Sequence, residues 1–238
     1  MASLVPLVET TRGGTLECVH FGALAVTDTQ GRVVASVGDP HWVTFTRSTL
    51  KPLQALPFVQ GGGVRRFGLS RANLALLCAS HNGEPMHVEQ VDDILGKVGV
   101  AYQRLQCGCH VPMLGELAPQ GALTPITYDE RNHNCSGKHS GFLAWCVQHG
   151  QPLESYLDPA HPLQQAIRRD VAAATGITED RMKPGIDGCS APNYAMPLSA
   201  LARGFARLAS GARDAQFGES FAALADAMTA HPDLVSGT

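Results

Sequence analysis

The stretch 45-FTRSTLKPLQALPF-58 sets the reading of the chain, because a helix has to begin inside it. A proline is tolerated in the first turn of a helix, where the N–H groups have no partner in any case, so Pro52 places Ser48 at or just before a helix start. Residues three apart share a helix face, which brings the Ser48 hydroxyl and the Lys51 amine toward one another. The helix dipole at that end favours developing negative charge. A lysine is a useful base only when neutral. At its ordinary pKa of about 10.4, only about one in 2,500 is neutral at pH 7. Lowering that value by about 3, worth roughly 4 kcal/mol, would suffice, and burial together with a cation such as Arg47 could supply it. The plainer alternative makes Thr46 or Ser48 an N-cap and Lys51 a solvated side chain. An isolated SxxK is more often the latter.

Outward from this stretch, residues 16–27 and 32–37 flank "DTQG" and read as a β-hairpin. Pro57 should end or kink the first helix. Ser70 caps a helix through "RANLALLCA", and residues 85–98 form another, with Val88, Val91, Ile94, Leu95 and Val98 on one face. Short extended pieces are expected at 101–106 and 122–128. Helices follow at about 136–148, 162–175, 197–210 and 217–230. Strands first and helices after suggest an α+β domain occupying residues 1–238.

The composition narrows the function. The 238 residues suffice for a substantial core, and 44 % apolar with 16 % charged residues is ordinary for a folded protein. A net charge of −3 with scattered lysines and arginines gives no pull toward nucleic acid or an anionic membrane, so a small-molecule partner is expected. The N-terminus lacks the pattern of a signal peptide, and no apolar run is long enough to span a bilayer. Seven irregularly spaced cysteines point to reduced thiols in the cytoplasm, where cysteines serve as metal ligands or reactive groups more often than as crosslinks.

Three further tracts carry chemistry. In "NHNCSGKHSGF", Cys135, Lys138 and His139 lie on one helix face, and Cys189 of "DGCSAP" sits on a glycine-flanked turn. Thiolates suit zinc, and ordinary coordination chemistry would choose Cys135, His139 and Cys189. Buried free cysteines beside a surface histidine fit the spacing equally well. "QCGCHVPM" reads as a structural segment lining a pocket. In "CASHNGEP", Gly83 and Pro85 mark a loop that presents Ser80 and His81, with capping the plainer role for Ser80.

Together these tracts are far more specific than any one alone. "TRGGTLECVHFGALAVTD", "RSTLKPLQALPF", "LALLCASHNGEPMHVEQV", "CGCHVPM", "HNCSGKHSGFLA", "HPLQQAI", "IDGCSAP" and "HPDLVSG" follow the order seen in the L-asparaginase II family, the rhizobial inducible type, which the chain resembles from its N-terminus to its last residues. The resemblance implies a helix-rich α+β fold with an antiparallel sheet, like serine β-lactamases and penicillin-binding proteins. It also implies hydrolysis of L-asparagine to L-aspartate and ammonia, in a homodimer. By matching motif, Ser48 would be the nucleophile, Lys51 its base and Ser80 a second serine relaying protons or positioning the amide. Zinc would be held by Cys135, Lys138 and Cys189, which displaces His139 to a place beside the substrate. Lysine is a rare ligand because it must first lose its proton. Asp187 would sit near metal and substrate, and Arg47 is the candidate for the substrate carboxylate.

Two departures stand out. The family more often has glycine where Ser190 stands, and relatives continue beyond "HPDLVSG", so the chain is expected to lack C-terminal strands of the sheet. Two rivals to the Ser-Lys reading remain. One is a zinc amidohydrolase in which Asp187 and metal-bound water do the chemistry; the other is a shortened metal-binding chain without turnover.

Overall fold

The computed structural model describes residues 4–111 and 128–238. Strand β1 (Val5–Arg12) pairs antiparallel with β2 (Thr15–Gly22), from Val5 opposite Gly22 to Arg12 opposite Thr15. Gly13 and Gly14 both take positive φ at the two-residue turn, which glycine does without steric cost. Strand β3 (Leu24–Thr27) pairs with β4 (Val33–Val37) across the "DTQG" turn, where the Asp28 carboxylate accepts the N–H groups of Gln30 and Arg32. The expected hairpin is therefore present, with one correction. Residues 16–27 are two strands, and β2 pairs backward to β1. Alternation along a sequence does not register a change of partner at Gly22–Ala23.

The third sheet has the order β5 (Val43–Phe45), β7 (Pro192–Pro197), β6 (Lys183–Ile186), all antiparallel. It joins segments some 140 residues apart, and its strands are too short to announce themselves by alternation. The helices largely follow the expected spans. After a 3₁₀ turn at Arg47–Leu50 come α1 (Lys51–Gln54), α2 (Leu56–Gln60) and α3 (Gly63–Arg66). The first helix breaks at Ala55, and Pro57 sits in the opening turn of α2. Ser70 caps α4 (Arg71–Leu77) by accepting the Asn73 N–H, while Asn73 accepts that of Ser70. Helix α5 (Pro85–Val98) buries Val91, Ile94, Leu95 and Val98, with His87 buried and Val88 half-buried. The remaining helices are α6 (Ser136–His149), α7 (Pro162–Thr175), α8 (Leu198–Ser210), α9 (Gly218–Ala230) and α10 (Pro232–Val235). The piece expected to be extended at 101–106 is instead a 3₁₀ turn at Tyr102–Arg104, and that at 122–128 lies, but for Tyr128, outside the described residues.

The molecule is thus a helix-rich α+β protein with small antiparallel sheets. Its core runs from Leu50, Leu53 and Leu56 through Leu74–Leu77 of α4 to Leu143 and Ala144 of α6. Helix α6 lies so close to α4 that a Cβ at Gly137 would stand 2.3 Å from the Leu76 carbonyl oxygen. Only glycine permits that approach, which brings the start of α6 under the loop carrying Ser80. No helix among the described residues is long and apolar enough to cross a membrane.

Candidate active site

The Ser48 and Ser80 side chains meet, with the Ser80 hydroxyl donating to Ser48 Oγ at 3.1 Å. Ser48 also lines an open cleft of about 440 Å³ with Arg47, Cys107, His110, His133, Asp187 and Cys189. The run Cys107, Gly108, Cys109 and His110 therefore lines a pocket, as its reading proposed. Neither hydroxyl of the capping alternative caps the helix. The Thr46 hydroxyl donates to Asn193 Oδ1 and the Tyr194 carbonyl, and the turn that begins at Arg47 has no side-chain cap.

Lys51 is 1 % exposed, and Nζ donates to the carbonyl oxygens of Ala79 at 2.6 Å and Asn134 at 3.1 Å. Those two carbonyls immediately precede Ser80 and Cys135, so one amine stitches both loops to the floor of the site. No hydrogen bond joins Lys51 to Ser48. Burial holds the lysine below its ordinary range, opposed by the charge on Cys135 and helped by Lys138. The cationic helper is thus Lys138, not Arg47 as expected. The Arg47 guanidinium is exposed and pairs with Asp187 at 2.8 Å.

Ser80 and His81 differ in setting. Ser80 is half-buried, but His81 is buried rather than presented by its loop. His81 Nδ1 accepts the Gly83 N–H, so Nε2 carries the proton and donates to Ser136 Oγ, which donates on to the Arg131 carbonyl. The "HPDLVSG" tract backs the same loop: the Ser80 and Asn82 N–H groups donate to the carbonyls of Val235 and Ser236. The sequence carried no signal for that role.

Cys135 precedes α6, Lys138 lies in its first turn, and Cys189 sits on the five-residue loop between β6 and β7. All three are buried, and Lys138 Nζ donates to Cys189 Sγ at 3.0 Å. A hydrogen bond from Cys189 and the nearby lysines pull the Cys135 thiol below its ordinary range, while that same hydrogen bond and burial push the Cys189 thiol up. Two sulfurs and an amine nitrogen gathered in a buried space are N/S donors of the kind zinc takes, once the amine has given up its proton. Among the described residues no group of three or more His, Cys, Asp and Glu side chains could hold a metal, so the set depends on its lysine. His139 is fully buried behind the cleft and does not line it. Its Nδ1 faces the Tyr156 hydroxyl at 2.7 Å. Its Nε2 lacks a partner of good hydrogen-bond geometry, although the Cys189 sulfur is near enough to oppose the effect of burial on the ring.

Backbone strain marks both edges of the cleft. Arg47 has φ of 49° and Ser190 has φ of 66°, a left-handed region that side chains other than glycine rarely occupy. Ser190 closes the loop by donating its N–H to the Asp187 carbonyl. That position is where the resembling family more often has glycine, and the loop is made here with serine.

The family model for L-asparaginase II matches residues 8–238. A search of curated proteins returns no match.

Proposed function

The chain belongs to the L-asparaginase II family, and from that premise we propose that it hydrolyses L-asparagine to L-aspartate and ammonia with Ser48 as nucleophile. The family supports asparaginase-type hydrolysis of amides; the Ser-Lys route and the metal are our reading. One observation carries it: Ser48, at the cleft, accepts a hydrogen bond from Ser80 over a buried lysine that has no carboxylate partner among the described residues. An arrangement of this kind costs burial of a cationic side chain, and a helix cap would not require it.

A neutral Lys51 amine has two N–H groups, matched by the two carbonyls, and a lone pair to take a proton, with the neighbouring Cys135 sulfur favouring the protonated form. Ser48 Oγ attacks the side-chain amide carbon, its proton passing to Lys51 directly, or through Ser80 once that hydroxyl has turned from Ser48 toward the amine. The C–N bond then breaks, the nitrogen taking that proton to leave as ammonia. Water opens the resulting β-aspartyl ester and regenerates Ser48. The Arg47–Asp187 pair suits an amino-acid zwitterion, with Arg47 turning to the α-carboxylate and Asp187 to the α-ammonium. Cys135, Lys138 and Cys189 would hold zinc, which supplies a fixed positive charge that orients polar groups of the substrate. His139 supports that set from behind. A serine β-lactamase-like plan for the fold and a homodimer belong to the same reading.

The rival with Asp187 activating water is less favoured, because Asp187 Oδ1 already accepts Arg47 and the Gly188 N–H. Mass spectrometry of protein quenched during asparagine turnover tests the choice. We expect an aspartyl adduct on Ser48 and at least about a 10⁴-fold loss of turnover in S48A. Normal turnover by S48A would sink the nucleophile.

A further inference from the structure

We propose that Asn193, a buried residue of β7 that touches none of the groups doing chemistry through its side chain, positions the nucleophile by holding residue 47 in its left-handed conformation. This rests on the reading of Ser48 as nucleophile, but its geometry stands separately.

The chain must leave β5 and enter the 3₁₀ turn within one residue. Strand β5 ends at Phe45, the Thr46 N–H still pairs with the Tyr194 carbonyl, and Ser48 is already inside the turn. Thr46 has already turned into the right-handed helical region, and Arg47 completes the change of direction at φ 49°. A side chain other than glycine keeps that conformation only when its surroundings impose it. Asn193 does so from across the sheet. Its Oδ1 accepts the Arg47 N–H at 3.0 Å, and its Nδ2 donates to the Arg47 carbonyl at 3.0 Å. The same Oδ1 accepts the Thr46 hydroxyl at 3.0 Å.

The carboxamide therefore acts as a peptide group turned sideways. It presents one acceptor and one donor to the acceptor and donor of a single residue that the β5–β7 ladder can no longer reach. Serine or threonine has too few functional atoms for both bonds, and aspartate lacks the donor. Asn193 is also 3 % exposed, so its bonds do not compete with solvent. The consequence is local. With φ of Arg47 fixed, Ser48 faces Ser80 and the Arg47 side chain reaches Asp187. Released from positive φ, residue 47 would rotate both away together.

The test compares N193A in two backgrounds, the natural chain and R47G, because glycine adopts positive φ without help. In the natural background N193A should lower kcat for ammonia release from L-asparagine by at least about tenfold. In R47G, whatever its own starting rate, N193A should cost less than about threefold. A residue that merely supports stability would cost the same factor in both. A crystal structure of N193A supplies a readout independent of turnover: Arg47 should leave positive φ, and the Ser48 and Ser80 hydroxyls should separate beyond hydrogen-bond reach. Should N193A not fold, N193D serves in the same measurements, since it keeps the acceptor and sets a carboxylate oxygen in place of the donor against the Arg47 carbonyl. The proposal is overturned if Arg47 stays left-handed with Ser48 still on Ser80, or if the kcat loss is equal in both backgrounds. Turnover by S48A would instead remove the nucleophile reading, leaving the crystallographic outcome to decide the role of Asn193.

Discussion

The floor and the rim of the cleft are built by different means. On the floor, Lys51, Cys135 and Lys138 come from α1, the start of α6 and its first turn, and all are buried. There the helices fix position, and exclusion of water sets which groups carry charge. On the rim, Arg47, Ser48, Asp187 and Ser190 come from turns at the ends of β5, β6 and β7, more open to solvent and held by hydrogen bonds and two left-handed residues. The contrast teaches that this site takes its electrostatics from packing and its aim from backbone geometry. Changes to the floor should therefore alter charge and stability, while changes to the rim should act mainly on alignment.

The largest effect is expected on the floor. K51M keeps the apolar stem and removes the amine, and should lower kcat about 10³-fold or more with the fold intact, as read by ammonia release and thermal melting. Loss of activity only in proportion to loss of folded protein would make Lys51 a packing residue. Next comes the contact that docks the two floor helices. A methyl group at Gly137 meets the Leu76 backbone, which cannot swing aside as a side chain would. G137A should cost about 2–3 kcal/mol in urea unfolding, whereas G188A, on the rim with open space around its Cβ, should cost little.

Acid should affect the floor as well. His81 stacks on His87 with ring centroids 4.6 Å apart, and each ring accepts a backbone N–H at Nδ1, from Gly83 and Glu84. A proton at Nδ1 would face another donor. Burial, with the charges of His87 and Lys51, pushes His81 down to about 2, and burial also lowers His87. The unfolded chain takes up protons near pH 6.5 and the folded chain does not, so stability falls as pH drops below that value. For His81 alone the loss should be about 2 kcal/mol between pH 6.5 and 5. Urea midpoints at the two pH values check this, and H81N should flatten the difference. The smallest effect belongs to the rim. S190G relieves the positive φ at the cost of a more flexible unfolded chain and should raise stability by at most about 1 kcal/mol. A decrease would mean that the Ser190 side chain contributes something beyond the turn.

The same division explains what could be read in advance. Helix α5 was legible because a 3.6-residue apolar repeat recurs along its fourteen residues, and the shorter α4 because Ser70 caps it. The residue set of the floor was legible only as spacing. "SxxK" and "CSGKH" showed which groups could share a face, but no pattern says that the Lys51 amine will reach the Ala79 and Asn134 carbonyls instead of water. His139, with the same spacing as a metal ligand, is turned instead toward Tyr156.

The rim was hidden for another reason. Strands of three to six residues carry too few alternations to be distinguished from loops, and β5 meets β7 across some 140 residues of chain. Asn193 therefore looked like one polar residue in "APNYAMP". By itself, the sequence determined the residue types, the helix that bears Lys138 and His139, and membership in an amide-hydrolysing family, because these depend on local order along the chain. Tertiary structure decided which hydroxyl meets which, which lysine is stripped of water, and which asparagine bends the backbone before Ser48. Those outcomes depend on distances between segments far apart in sequence, which packing alone sets.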